Sequence, residues 1–324
     1  VKLTGAAPTP SKMPLSELYL CAHAGPEHHP AVVTDLVLPL GLSIRDRPEL
    51  SSLFFVRMNV PTWQVRFRVV GEETWLHGAY RDEAEERLEP FLREGVVTKV
   101  EWTRYEREVE RYGGEEGMEL AEKIYLYDSL ACLEWLALER KGGLDRTRRE
   151  IALLLGERYA DLLGLEGRER AHFYHFGYTW AREMGTWDEA SFAKLEERYR
   201  QIEPAMHEML DGEVSRDPEA LWGGSASAEI ADRLLRELRP WLERVVEGFR
   251  AGRILQHLGY LGWSYTHLPC NRLGLPPGPE AILRYLQHRY HQENHGLPGP
   301  DDLPRFRMTP TGPGSQDASD TSTT

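Results

Sequence analysis

The hydrophobic period of this 324-residue chain changes once, around a Gly113-Gly114 turn, and that change constrains the fold more than any other feature. Ahead of it, Thr62–Val70 alternates Trp63, Val65, Phe67 and Val69 with Gln64, Arg66 and Arg68. That is the period of two of a strand with one apolar face. Leu53–Val60 is rich in β-formers, Leu18–Ala24 is a short apolar run, and Val96–Tyr105 reads as a further strand. Helical spacing marks Ala31–Leu38 and Arg81–Arg93. Beyond the turn the spacing predicts helices only: Met118–Arg140, Asp145–Leu165, Arg168–Met184, Trp187–Leu210, Ala228–Phe249, Ile254–His267 and Glu280–Gln292. Strands followed by helices indicate an α+β fold and argue against a doubly wound sheet. The expectation is a β-rich N-terminal third, with an antiparallel or mixed sheet, and a mostly helical remainder.

The expected organisation is a flexible N-terminus over residues 1–15 and a single domain over 16–305, β-rich to 115 and helical from 116. Residues 306–324 are expected to be a disordered tail, because Met308–Thr324 has no apolar period with which to offset the cost of ordering. The Gly/Ser/Asp-rich stretch Asp211–Ser227 reads as a loop. VKLTGAAPTPSKMP has no apolar core after its lysine, so it does not read as a signal peptide. No window approaches the roughly 18 apolar residues of a membrane span, and a cytoplasmic location without membrane contact is expected. Three scattered cysteines, Cys21, Cys132 and Cys270, suit neither a disulfide framework nor a zinc site. With 52 acidic against 39 basic residues, no direct nucleic-acid partner is expected.

Against that acidity, Trp102–Gly114 holds Arg104, Arg107 and Arg111 with Tyr105 and Tyr112 at the exit of a predicted strand. Arginine presents a planar fork of donors matched to a carboxylate. The alternative is a solvated edge strand carrying alternating Arg and Glu. Arg57, Arg66, Arg68 and Arg111 all fall on or just after predicted strands of one sheet, where they either meet water or neutralise an anion. In Tyr265–Gly274 a helix is expected to end at Pro269, leaving His267, Asn271 and Arg272 near its terminus. His267 is suited to proton transfer, or else caps the helix. His172 and His175 have a metal-ligand spacing but no third ligand, so they read as core, and no metal or cofactor is expected. Asp128 and Ser129 interrupt an apolar helix face and are expected to make buried hydrogen bonds. Neither a nucleotide-binding loop nor a GxSxG elbow occurs.

In order along the chain, Ser16–Leu20, Leu53–Arg57, Gln64–Arg68, Arg104–Gly114, Met118–Glu122 with Asp128-Ser129, and Thr266–Gly274 resemble the C-terminal module of lantibiotic dehydratases. This family is also known from thiopeptide-type bacteriocin biosynthesis. The pieces span roughly residues 16–290, and the Tyr-x-x-Glu-x-x-Arg-Tyr-Gly-Gly run (Tyr105–Gly114) is the most specific of them.

The resemblance implies elimination of glutamate from glutamylated Ser or Thr of a leader-containing precursor peptide, to give dehydroamino acids. A separate tRNA-dependent glutamylating dehydratase chain would be the partner. It assigns Arg66 or Arg68, with Arg111 or Arg107, to the glutamyl carboxylates, and His267 to proton transfer. Arg57 and Tyr112 would help bind substrate, and Asn271 and Arg272 would position a histidine loop. Two positions depart from the family pattern: Gln64 stands where a histidine is common, and Pro269 replaces a second histidine. If that second histidine is the working one, two alternatives gain weight. One is a [4+2] pyridine-forming cyclase acting on two dehydroalanines; the other is a non-catalytic subunit that docks the precursor along a sheet edge.

Overall fold

Strands form where the period is two. In this computed structural model, which describes residues 14–183 and 189–296, β1 (Leu15–His23), β2 (Leu50–Met58), β3 (Gln64–Glu72) and β4 (Lys99–Thr103) build one antiparallel sheet in the order β2-β3-β1-β4. Helix α1 (residues 29–44) links β1 to β2, and α2 (residues 73–93) links β3 to β4; each includes a π-helical stretch. This is a split β-α-β arrangement, β-α-β-β-α-β with its outer strands last and second in sequence. It makes up the first of two units, which ends at Tyr105; the second starts at Glu106.

Leu18, Leu20, Leu53, Phe55, Val65, Phe67 and Val69 fill one sheet face and are all buried. The helices cover that face with Val33, Leu36, Leu40, Leu76, Tyr80 and Leu88. Burying a side chain of this size stabilises by roughly 1.5–3 kcal/mol, which is what fixes the strand register against a one-residue slip.

The second unit is helical: α3 (Glu115–Arg140), α4 (Arg148–Leu162), α5 (Gly167–Glu183), α6 (Glu189–Leu210), α7 (Pro218–Trp222), α8 (Ser225–Arg250), α9 (Leu258–Leu273) and α10 (Pro277–His295). Its boundaries follow local chemistry. Thr147 and Glu150 close a capping box on α4. Gly274, at φ 83°, ends α9 in the left-handed conformation that glycine adopts without strain. In the core Trp135 stacks on Trp222 and donates its indole N–H to Ser227 Oγ at 2.8 Å.

Two expectations are corrected. The stretch 211–227 is not an open loop: it holds a 3-10 turn, α7 and the start of α8. Asp217 caps α7 by accepting from the Glu219 N–H, and Pro218 supplies its first position. Nor does α9 stop at Pro269; it runs four residues further, to Leu273. The tail expected to be disordered lies outside the described residues.

Close packing where the second unit begins makes one glycine obligatory. A Cβ on Gly117 would sit 1.8 Å from the Tyr112 carbonyl oxygen. The Gly117→Ala variant is therefore expected to lose at least about 2 kcal/mol through forced displacement of the turn before α3. A urea midpoint within error of the parent protein would contradict that.

Candidate functional site

In the first unit, register decides which arginines share a face. Tyr19, Cys21 and His23 of β1 lie opposite Arg68, Arg66 and Gln64 of β3, which in turn face Phe54, Val56 and Met58 of β2. Arg66 and Arg68 are thus on the face turned away from α1 and α2. Arg57 pairs with Val65, so it is on the other face and does not converge with them. There its charge acts on His29, whose imidazole is held below its ordinary range by burial first and by Arg57 second.

The two remaining arginines are differently occupied. Arg68 is neutralised: its Nε and a terminal nitrogen each lie 2.9 Å from Glu17 Oε2, and its guanidinium sits 4.5 Å from the Tyr105 ring centre. Arg66 donates to Gln64 Oε1 at 3.0 Å and to the Val60 carbonyl at 3.4 Å, both neutral acceptors. Its charge is left available to an anion. Beside it, His23 bonds Glu101 at 2.5 Å and Thr62 at 3.0 Å. Lys99 first, and His23 second, hold the Glu101 carboxyl below the usual range. Burial pushes the Cys21 thiol up, the opposite of what a nucleophilic thiolate needs.

At the sheet edge β4 partners only Tyr19–His23, so Leu15–Leu18 lack a strand on that side among the described residues. A concavity of about 890 Å³ lies along this stretch, lined by Glu17, Arg68, Arg81, Trp102 and Arg104 among others.

In the second unit, the segment before α3 does not continue the sheet. Arg107 is ion-paired with Glu115 at 2.7 Å and Glu122 at 3.3 Å. Arg111 contacts Glu108 at 3.0 Å, lies over the Tyr112 ring, and directs its Nε at Ser264 Oγ, 3.4 Å away. Tyr112 is fully buried, stacked on Tyr265 and edge-on to Tyr125. Burial raises the phenol pKa of Tyr112 and Tyr265, so both are neutral packing surfaces beneath the guanidinium.

Ser264 and His267 are three apart on α9 and therefore on one helix face. That places Arg111 about one helical turn from the imidazole. His267 Nδ1 lies 2.7 Å from Glu280 Oε2, its ring stacks on Trp263 with planes 14° apart, and its side chain is 29 % exposed. A cation, a hydroxyl and a carboxylate-linked histidine thus lie side by side. Such a group can hold an anion and move a proton.

The family described as lantibiotic biosynthesis dehydratase, C-terminal, matches residues 18–291. The chain belongs to this family. No curated protein sequence matches it. Among solved structures it is similar to the tRNA-dependent lantibiotic dehydratase MibB from Microbispora sp. 107891, with a TM-score of 0.65 and 21 % identity over 94 % of the chain. That match spans only 29 % of MibB. Two further similar structures are TsrL (TM-score 0.59, 17 % identity, 91 % of this chain and 99 % of that one) and TbtD, the pyridine synthase of thiomuracin biosynthesis (0.63, 17 %, 86 % and 99 %).

Within this dehydratase-type fold the other expected site residues fall as follows. Asn271 and Arg272 lie in the last turn of α9, so there is no histidine loop for them to position. Arg272 is fully buried and ion-paired with Asp128, which also accepts from the Tyr159 hydroxyl at 3.1 Å. The expectation of a buried hydrogen-bonding role is met for Asp128 but not for Ser129, whose buried hydroxyl has no partner among the described residues. His172 and His175 neighbour His288 within the helical unit, and no group able to hold a metal occurs among the described residues. No described helix is long and apolar enough to cross a membrane.

Sequence reasoning missed Glu280, Ser264 and Glu17. Glu280 stands in the first turn of α10, where an acid ordinarily reads as a helix-dipole partner.

Proposed function

We propose that the chain eliminates glutamate from glutamylated Ser or Thr of a precursor peptide. Abstraction of the Cα proton and cleavage of the Cβ–O bond release the glutamyl group as a carboxylate and leave a dehydro residue. The step needs a base at Cα and cations for the enolate-like intermediate and the leaving carboxylate. The observation that carries this reading is the placement of Arg111, Ser264 and His267 within one turn of α9. His267 takes the proton and Arg111 meets developing negative charge. Within the first unit taken by itself, Arg66, whose acceptors are neutral, is the arginine open to a peptide carboxylate, while Arg68 is committed to Glu17. The glutamylating activity would come from a tRNA-dependent chain.

A second reading, a [4+2] cyclase joining two dehydroalanines, is favoured by coverage. The chain spans 99 % of the pyridine synthase TbtD but only 29 % of MibB. A cyclase has no departing glutamate to hold, and the presence of Arg66 and Arg111 supports elimination as the first reading.

Incubation with a peptide carrying glutamylated serine, followed by mass spectrometry, separates the two. Glutamate release is expected, slowed roughly 10²–10⁴-fold in His267→Ala and in Arg111→Ala. No release by the parent protein, with ring formation from a peptide bearing two dehydroalanines, would replace elimination by cyclisation.

A further inference from the structure

From the surroundings of His267, we infer that Glu280 is the positioning residue that fixes this imidazole as its Nδ1–H tautomer and so leaves Nε2 as the atom that accepts the substrate proton. The inference rests on His267 being the proton-transfer group of the proposed reaction. A carboxylate only accepts hydrogen bonds, so the 2.7 Å contact between Glu280 Oε2 and His267 Nδ1 requires the proton on Nδ1. Nε2 has no hydrogen-bond partner among the described residues, and the side chain stays partly exposed.

Glu280 is itself held in place. It is 6 % exposed, and Arg284, one turn further along α10, brings a guanidinium nitrogen to 3.6 Å from its other oxygen. The same nitrogen of Arg284 donates to the Thr266 carbonyl at 2.8 Å. Thr266 precedes His267 and directly follows Tyr265, whose carbonyl loses its helical donor because Pro269 has no N–H. One buried arginine therefore ties the carboxylate to the backbone of the turn that carries the histidine. Trp263, stacked on the ring at 5.6 Å, restricts the remaining rotation.

Orientation of the proton-transfer group thus comes from a carboxylate on the next helix. Wrong-tautomer variants of carboxylate-oriented histidines lose up to about 10⁴ in turnover in a serine-protease triad. Loss of an orienting partner at a metal-bound histidine costs about 10–100-fold.

The test uses the full chain labelled with ¹⁵N-histidine, the His267 signal being assigned by its absence in His267→Gln. Long-range ¹H–¹⁵N spectra are expected to show the Nδ1–H tautomer in the parent protein and in Glu280→Asp, and loss of that preference in Glu280→Gln. With the glutamylated peptide as probe, Glu280→Gln is expected to lower kcat at least about 10²-fold at nearly unchanged KM, with Glu280→Asp recovering most of it. An Nε2–H tautomer in the parent protein overturns the inference, as does a Glu280→Gln enzyme of undiminished kcat. If Glu280→Gln does not fold, the parent spectrum and Glu280→Asp still decide. Should the parent protein release no glutamate while showing an Nδ1–H tautomer that Glu280→Gln abolishes, elimination fails and the positioning of His267 by Glu280 stands.

Discussion

Replacing Asp128 by asparagine is expected to cost about 3–5 kcal/mol, the penalty for leaving a buried charge without its counter-ion. Arg272 and Asp128 are both essentially inaccessible to water, and the guanidinium also lies over the Tyr125 ring at 5.6 Å. Burial raises the Asp128 carboxyl pKa, and Arg272 opposes that shift. The charged pair is held by mutual attraction, and neither member is stable alone in this place. Asparagine keeps the shape and leaves an acceptor for Tyr159, so the loss reports charge rather than a cavity. A loss of this size is a large share of the roughly 5–15 kcal/mol that holds a domain together. At about 2–4 °C per kcal/mol for a unit of this size, the melting temperature should fall by roughly 6–20 °C. The double variant Asp128→Leu/Arg272→Met should recover most of the loss, because an apolar pair of similar volume has no charge to desolvate. A shift below about 0.5 kcal/mol in Asp128→Asn would mean that water reaches Arg272 and that the pair is not sealed.

Local sequence made this fold legible where the information is itself local. The alternation through Val65, Phe67 and Val69 needs no partner to be read as a strand, and the α+β division around Gly113-Gly114 followed from the change of period. What a single strand cannot reveal is which neighbour it pairs with and in what register. Arg57 follows a run of four apolar residues, Leu53–Val56, with no alternation to assign its face. Only the pairing of Arg57 with Val65 shows that it lies across the sheet from Arg66. Pro269 misled for a related reason. The rule that proline ends helices counts the lost hydrogen bond, whereas here tertiary contacts from α10, among them the Arg284 bond to Thr266, support the interrupted turn. By contrast, the signal for α7 was present in Asp217-Pro218, a capping residue followed by proline, inside a stretch whose composition suggested a loop.

The site was partly legible, in its residue types more than its partners. An arginine-rich run in an acidic chain pointed to Arg111, and His267 stood out as a titratable group in a distinctive motif. The partners that distinguish working from committed side chains came from residues far along the sequence. Glu17 neutralises Arg68 across 51 positions, and Ser264 meets Arg111 across 153. Without those contacts Arg66 and Arg68 are interchangeable, and Arg111, ion-paired with Glu108 much as Arg107 is with Glu115 and Glu122, is singled out by its reach to Ser264.

Stability of the helical unit should fall on mild acidification, at pH values where carboxylates are still ionised. His288 is 3 % exposed and its imidazole is pushed down to about 4, chiefly by burial. Its Nδ1 is 3.1 Å from the Ala171 carbonyl, to which the neutral ring donates. His257 is also lowered to about 4, and His172 and His175 are lowered as well, each mainly by burial. The sign follows from comparing the two states. Below about pH 6.5 the unfolded chain binds protons at these positions that the native state refuses, so the stability present at neutral pH is lost progressively as pH falls. For His288 alone the loss is about 2 kcal/mol between pH 6.5 and pH 5, at roughly 1.4 kcal/mol per pH unit. Glu196, held down to about 2 by Arg289, adds its own loss only as pH falls through the ordinary glutamate value near 4.5 and below. Asp128 and Glu169, raised by burial, act in the opposite sense. The difference between the parent protein and a His288 variant reads the histidine contribution across the interval from about pH 6.5 to 5. Denaturant midpoints across it should decline with a slope of at least about one proton, and His288→Gln should remove about one proton from that slope. A flat profile over the interval would show that the histidines around His288 take up protons as readily folded as unfolded.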